Sequence, residues 1–202
     1  MQLPPEQIDA LTEMINIGAG RAASVLNDMV HAHVALKVPT VLVMSHEEYL
    51  ANPPIDGDAH FACVQLPFKS DQFSGRALLA LPPNSAINLV AILIGSDEAG
   101  GDLDHLHIST LNEVGNIILN SVMGSISNVL GTRLIYSVPS YHNDKLSNLM
   151  QEEKGVASPV IIYAETWFSV TGKKIEGDIL MLLGAKSADS LSHALSKFPQ
   201  QK

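Results

Sequence analysis

Apolar residues recur at helical spacing in two stretches of the chain. Ile8, Leu11, Ile15, Ala19 and Ala22 lie three or four positions apart, and so do Leu111, Gly115, Ile118 and Val122. That period predicts an amphipathic helix opening each half. Pro4 and Pro5 suit the first turn of the earlier helix, and Asp104 suits the N-cap of the later one. β-branched runs follow at Val34–Met44 and Arg133–Val138, then polar, proline-bearing loops over Glu47–Asp58 and Ser140–Ser158. Two pairs of apolar runs, His60–Leu66 with Gly75–Leu81 and Val160–Val170 with Gly177–Leu183, read as hairpin strands. A final amphipathic helix closes each half, over Ser85–Ile94 and Ala188–Phe198.

The elements repeat because the residues repeat. At an offset of 100 residues, IDALTEMINIGAG (8–20) lies over ISTLNEVGNIILN (108–120), so that Ile8, Leu11, Glu13, Asn16 and Ile17 meet Ile108, Leu111, Glu113, Asn116 and Ile117. Val38-Pro39 lies over Val138-Pro139 without a gap, and at an offset of 102 Gly75 meets Gly177. A collinear series of this kind predicts an internal duplication, with its seam in the turn-rich GSDEAGGDLD (95–104). The expectation is one domain over residues 1–202 made of two repeats, at about 5–98 and 105–198. Helices flanking mostly antiparallel strands give an internally duplicated, pseudo-two-fold α+β fold.

A polar set is repeated along with the apolar one. Asp9, Glu13 and Asn16 stand at i, i+4 and i+7, and Ser109, Glu113 and Asn116 keep that spacing. On a helix these positions form one stripe, roughly opposite the core-facing Ile8, Leu11, Ile15 and Ala22. The sequence therefore predicts a helix that displays an acid and an amide. Asparagine is a poor helix former, costing on the order of half a kcal/mol in mid-helix, so two in register call for a reason beyond packing. A capping box with Thr110 would explain Glu113, but Ala10 stands at the equivalent place before Glu13.

Composition narrows the partner. The 202 residues are 46% apolar and 16% charged, enough for a real core and unlike a disordered chain. Twelve Lys and Arg against 21 Asp and Glu leave a formal charge of −9, which argues against nucleic acid and suits a protein partner with a basic rim. A single cysteine, Cys63, provides no internal disulfide or Cys-pair metal site and reads as a buried small hydrophobe. The N-terminal MQLPPEQIDALTEM does not read as a signal peptide, and the apolar run Ala86–Ile94 is too short to span a bilayer. A cytoplasmic protein without membrane insertion is expected.

At these residues the chain resembles the CheC-type family of chemotaxis phosphatases, which includes CheC, CheX and FliY. The family motif is Asp or Ser, three residues, Glu, two residues, Asn, 22 residues, then Pro; Asp9, Glu13, Asn16 and Pro39 fit it, and Ser109, Glu113, Asn116 and Pro139 fit it again. NIGAGRAA (16–23) is similar to the first-site helix of CheC proteins and EVGNI (113–117) to the second; two motifs in a chain of this length sit nearest the two-site CheC subclass. The resemblance implies hydrolysis of the aspartyl phosphate of a CheY-like response regulator. Asn16 and Asn116 would orient the attacking water, while Glu13 and Glu113 would dock on the regulator's active-site lysine. The chain would need no metal of its own, because the Mg²⁺ would belong to the regulator. Asp9 and Ser109 are left between orienting the Glu and contacting the partner, and Pro39 and Pro139 would shape the strand after each helix. A CheD-like regulator is a further partner the resemblance implies. A non-catalytic adaptor of the same fold, docking on a regulator or a flagellar switch, is the alternative. Having two motifs in one chain leans toward a monomer.

Other chemistries fit less well. G-x-G-x-x-A at 18–23 follows a helical period rather than a strand, and the second copy lacks the glycines, so close packing is the better reading than a dinucleotide fingerprint. His31/His33 and His105/His107 have no third ligand at a suggestive spacing. No G-x-S-x-G occurs, and Trp167 beside Phe168 reads as hairpin packing.

Overall fold

A computed structural model of the chain describes residues 3–31, 33–71, 73–95, 103–151, 159–170 and 172–197. Two 26-residue helices, α1 (Pro5–Val30) and α4 (His105–Leu130), are the longest elements. Pro5 starts α1 without a side-chain cap, whereas the Asp104 carboxylate caps α4 by accepting from His107 N–H at 2.9 Å. Thr110 lies inside α4 and donates to the Leu106 carbonyl, so it is no N-cap and forms no capping box with Glu113.

The remaining elements are β1 (Val34–Ser45), α2 (His46–Ala51), β2 (His60–Lys69), β3 (Ser74–Leu81) and α3 (Pro83–Ile94) before α4. After it come β4 (Ile135–Tyr136), β5 (Ser140–Lys145), α5 (Leu146–Leu149), β6 (Val160–Val170), β7 (Lys173–Leu183) and α6 (Ala185–Leu195). The seven strands form a sheet of order β1-β6-β7-β3-β2-β4, with β5 also on β2. Every pairing is antiparallel. The fold is α+β. Exchanging β1, β6 and β7 with β5, β2 and β3 leaves the pairing scheme from β1 to β5 unchanged, with the β3–β7 ladder at its centre.

Three sequence expectations are corrected. The stretch Ser140–Ser158 is not a continuous loop, because β5 and α5 occupy Ser140–Leu149; residues 152–158 lie outside the described ones. Polar residues such as His142, Asn143 and Asp144 are admitted to a strand because β5 is an edge, with one side facing water. The run Arg133–Val138 keeps only two strand residues, and Glu47–Asp58 opens with the helix α2, whose Ser45–Glu48 capping box is reciprocal. The predicted end of α6 at Phe198 also lies outside the described residues.

Strand alternation gives the sheet two apolar faces. Ala77, Leu79 and Leu81 of β3 with Ile179, Met181 and Leu183 of β7 join Leu11, Ile15, Ala19, Leu111, Ile118 and Val122 of the long helices in the main core. Leu78, Ala80, Leu180 and Leu182 point the other way, onto Tyr49 of α2 and Leu146 of α5. Each such side chain contributes about 1.5–3 kcal/mol on burial. Cys63 belongs to this second cluster, and burial pushes its thiol up to about 12. Between α1 and α4 the approach is set by Gly18, where a Cβ would come within 2.5 Å of the Val122 Cα. Of the glycines in 18–23, Gly18 serves close packing as expected, whereas Gly20 does not, since it has nothing within 4 Å.

Candidate functional site

The long helices carry the candidate residues, and their polar stripe is where the 3.6-residue period puts it. Leu11, Met14, Ile15 and Ala19 are buried on α1, while Asp9 and Glu13 are exposed. Leu111, Val114, Gly115 and Ile118 are buried on α4, while Ser109 and Glu113 are exposed. Each carboxylate therefore stands free of the core, at a position where a partner's cation can reach it. Asn16 and Asn116 lie at the edge of the stripe, half-buried rather than displayed.

The environments of the two amides differ. Asn16 is joined to the backbone of Val38, 22 residues on: Val38 N–H donates to Asn16 Oδ1 at 3.1 Å, and Asn16 Nδ2 donates to the Val38 carbonyl at 2.9 Å. The same nitrogen donates to the Thr12 carbonyl at 3.0 Å. A β-bulge explains why Val38 needs a side chain as its partner. Lys37 pairs with Trp167 and Thr40 with Glu165, so Val38 and Pro39 together face Thr166 alone. Proline brings no N–H to the ladder. The Val38 amide and carbonyl turn toward α1, where the carboxamide satisfies both. The bulge also shifts the inward face by one residue, from Val34, Leu36 and Val38 to Val41.

Around Asn116 there is no such strand. Val138 is 86% exposed and belongs to neither β4 nor β5. Asn116 Oδ1 instead accepts from Asn120 Nδ2 at 2.6 Å, one turn along α4. Among the described residues, no acceptor is in hydrogen-bond range of the Asn116 amide nitrogen. Pro139 lies just before β5, while Pro39 sits in the bulge of β1. The motif residues thus share their place on the helices but not their second contacts. Asn120 was legible from its i+4 spacing to Asn116, whereas the Val38 backbone carries no residue signature at all.

The histidine pairs fall elsewhere. His107 Nδ1 sits 2.6 Å from Asp104 at the start of α4, and His31 takes the left-handed C-cap of α1 at φ 50°. Among the described residues no group of three or more His, Cys, Asp or Glu is placed to hold a metal ion. No helix among them is long and apolar enough to cross a membrane. Grooves open around Phe68, Ser74, Arg76 and Leu182 and around Tyr163, Trp167 and Glu176, away from the four motif residues. An exposed acid on a helix face with a half-buried amide beside it is suited to a protein partner, since small-molecule sites are concave.

Fold and site together define an α+β protein that presents a Glu-x-x-Asn pair on each of two long helices. The chain is 29% identical over 150 residues to the CheY-P phosphatase CheC of Bacillus subtilis, a match covering 73% of this chain and 71% of that one. It is 26% identical over 133 residues to the flagellar motor switch phosphatase FliY of the same organism, covering 65% of this chain but 34% of that longer protein. Among solved structures, FliY of Thermotoga maritima superposes with a TM-score of 0.76 at 19% identity, over 98% of this chain and 99% of that one. A chain of the CheX–CheY–BeF₃–Mg²⁺ complex from Borrelia burgdorferi superposes at 0.52 and 18% identity, over 85% of this chain and 98% of the other. No protein-family model matches. These likenesses in sequence and fold support a member of the CheC/CheX/FliY family.

Proposed function

We propose that the protein hydrolyses the aspartyl phosphate of a CheY-like response regulator, at one site on α1 (Glu13 and Asn16) and a second on α4 (Glu113 and Asn116). The observation that carries this reading is the twice-presented Glu-x-x-Asn pair, with both acids exposed, in a chain whose relatives include one named a CheY-P phosphatase and one named a flagellar motor switch phosphatase. An acyl phosphate is already activated, so the catalyst's main task is to hold a water in line with phosphorus. The water oxygen bonds to phosphorus, the bond to the aspartyl oxygen breaks, and the regulator recovers its carboxylate as inorganic phosphate leaves. A carboxamide suits the orienting role because it accepts from and donates to water at any physiological pH. Glu13 and Glu113 pair with the regulator's lysine and set the register of each asparagine. Asp9 and Ser109, one turn earlier, contact the partner or steady the acid. The regulator brings the Mg²⁺ that neutralises the phosphoryl oxygens.

The test is single-turnover loss of phosphate from phosphorylated CheY-like regulators with wild type, Asn16→Ala, Asn116→Ala and the double variant. Acceleration by wild type that the double variant abolishes supports the reading. Binding of a regulator without acceleration would leave the adaptor alternative in its place, with the helices serving as a docking face only.

A further inference from the structure

We propose that Asn120 is a positioning residue for Asn116, and that its presence on α4 alone makes the second site the faster one. The inference rests on the reading that Asn116 orients the attacking water. An amide that orients water needs a fixed plane and free polar atoms. Asn120 Nδ2, donating to Asn116 Oδ1 at 2.6 Å, fixes which end of the carboxamide is oxygen and holds its plane against rotation about the last side-chain bond. One lone pair of that oxygen stays open for a water O–H, and both hydrogens on the nitrogen remain available.

On α1 the position corresponding to Asn120 is Gly20, which brings no side chain to the site. The Asn16 amide is fixed there by the Thr12 and Val38 carbonyls and the Val38 N–H. Those contacts take both hydrogens of its nitrogen and one lone pair of its oxygen, so donating to a water requires breaking a bond to the Thr12 carbonyl of α1 or to the Val38 carbonyl of β1. The first amide is committed to the strand and the second is held by a neighbour that leaves it open. This difference lies within the helices and the bulge, and it requires nothing of the regulator.

The experiment measures kcat and KM for a CheY-like regulator that wild type dephosphorylates. It compares Asn120→Ala, Asn116→Ala, the double Asn116→Ala/Asn120→Ala and Asn16→Ala, with unfolding curves for each. The expected result is a fall in kcat of about tenfold for Asn120→Ala with KM within about twofold, since Glu113 still docks. Asn116→Ala falls further than Asn16→Ala, and Asn120→Ala adds nothing once Asn116 is already alanine. A second readout needs no regulator: the side-chain amide resonances of Asn116 shift in Asn120→Ala while those of Asn16 stay in place. Unchanged kcat in Asn120→Ala, an additive loss in the double variant, or an equal loss from Asn16→Ala and Asn116→Ala overturns the inference and spares the phosphatase reading. Failure of wild type to accelerate any regulator removes both.

Discussion

Asn16 and Val38 are bound to each other through two hydrogen bonds of opposite sense, a side-chain amide standing where a neighbouring strand would be. The carboxamide reproduces the donor and acceptor of a peptide group, so α1 closes the gap that the bulge at Pro39 leaves in the β1–β6 ladder. A motif asparagine is therefore also a structural one in the first half, while in the second half it is not. Loss of Asn16 orphans two backbone groups beside a Val38 side chain that is 2% exposed.

Asn16→Ala is accordingly expected to destabilise the fold by about 2–3 kcal/mol, and Asn116→Ala by less than about 1 kcal/mol. Asn16→Asp should resemble Asn16→Ala, because a carboxylate still accepts from Val38 N–H but turns an acceptor toward the Val38 carbonyl. Urea unfolding of the three variants measures this. Equal midpoints for Asn16→Ala and Asn116→Ala would show that the bulge is satisfied some other way.

Three of the glycines in the long helices should respond differently to alanine. At Gly18 a Cβ meets the Val122 backbone at 2.5 Å, which cannot yield without parting α1 from α4, so Gly18→Ala should cost about 2–4 kcal/mol. At Gly115 the Cβ meets the Val64 side chain at 2.6 Å, a stiff β-branched neighbour, and a cost of about 1–3 kcal/mol follows. Gly20 has open space, so Gly20→Ala should stabilise by about 0.5–1 kcal/mol through helix propensity. Thermal melts of the three single variants would give the order directly.

Asp178 imposes a pH dependence on stability. Burial raises its carboxyl to about 6, although Tyr163 O–H donates to it at 2.7 Å and favours the ionised form; Glu165 and Glu176 nearby add to the rise. The folded state therefore holds this proton at pH values where the unfolded chain has released it, and stability falls as pH rises from about 4 to about 6. Asp178→Asn keeps an acceptor for Tyr163 and removes the charge. It should gain about 2 kcal/mol over wild type at pH 8 and little at pH 4. Denaturant midpoints at the two pH values measure the difference, and a gain independent of pH would contradict the assignment.

Cys63 is fully buried, and its thiol is raised to about 12 by that burial. A thiol-specific reagent at pH 8 should leave it unmodified in the native protein and label it at once in concentrated urea. Rapid labelling of the native chain would mean that the cluster around Tyr49 and Leu180 opens readily.

The long helices, the two hairpins and the position of Glu13 and Glu113 on an exposed stripe were all legible from the sequence. Each depends on periodicity within one element: Leu11 and Ile15 must lie inward if Glu13 lies outward, whatever else the chain does. β5 was not legible, because a strand carrying Ser140, His142 and Asp144 owes its existence to the free edge of β2 rather than to its own residues. For the same reason the two asparagines look alike in sequence and differ in the fold. Glu-x-x-Asn fixes where a side chain leaves its helix, and there the local information ends. What Asn16 and Asn116 bind was decided by tertiary structure, through a bulge that brings the Val38 peptide under α1 and a connection after α4 that leaves Val138 in solvent. Hydrogen bonds to backbone groups depend on where the chain passes and not on which residue passes there, so only the folded arrangement could distinguish the two sites.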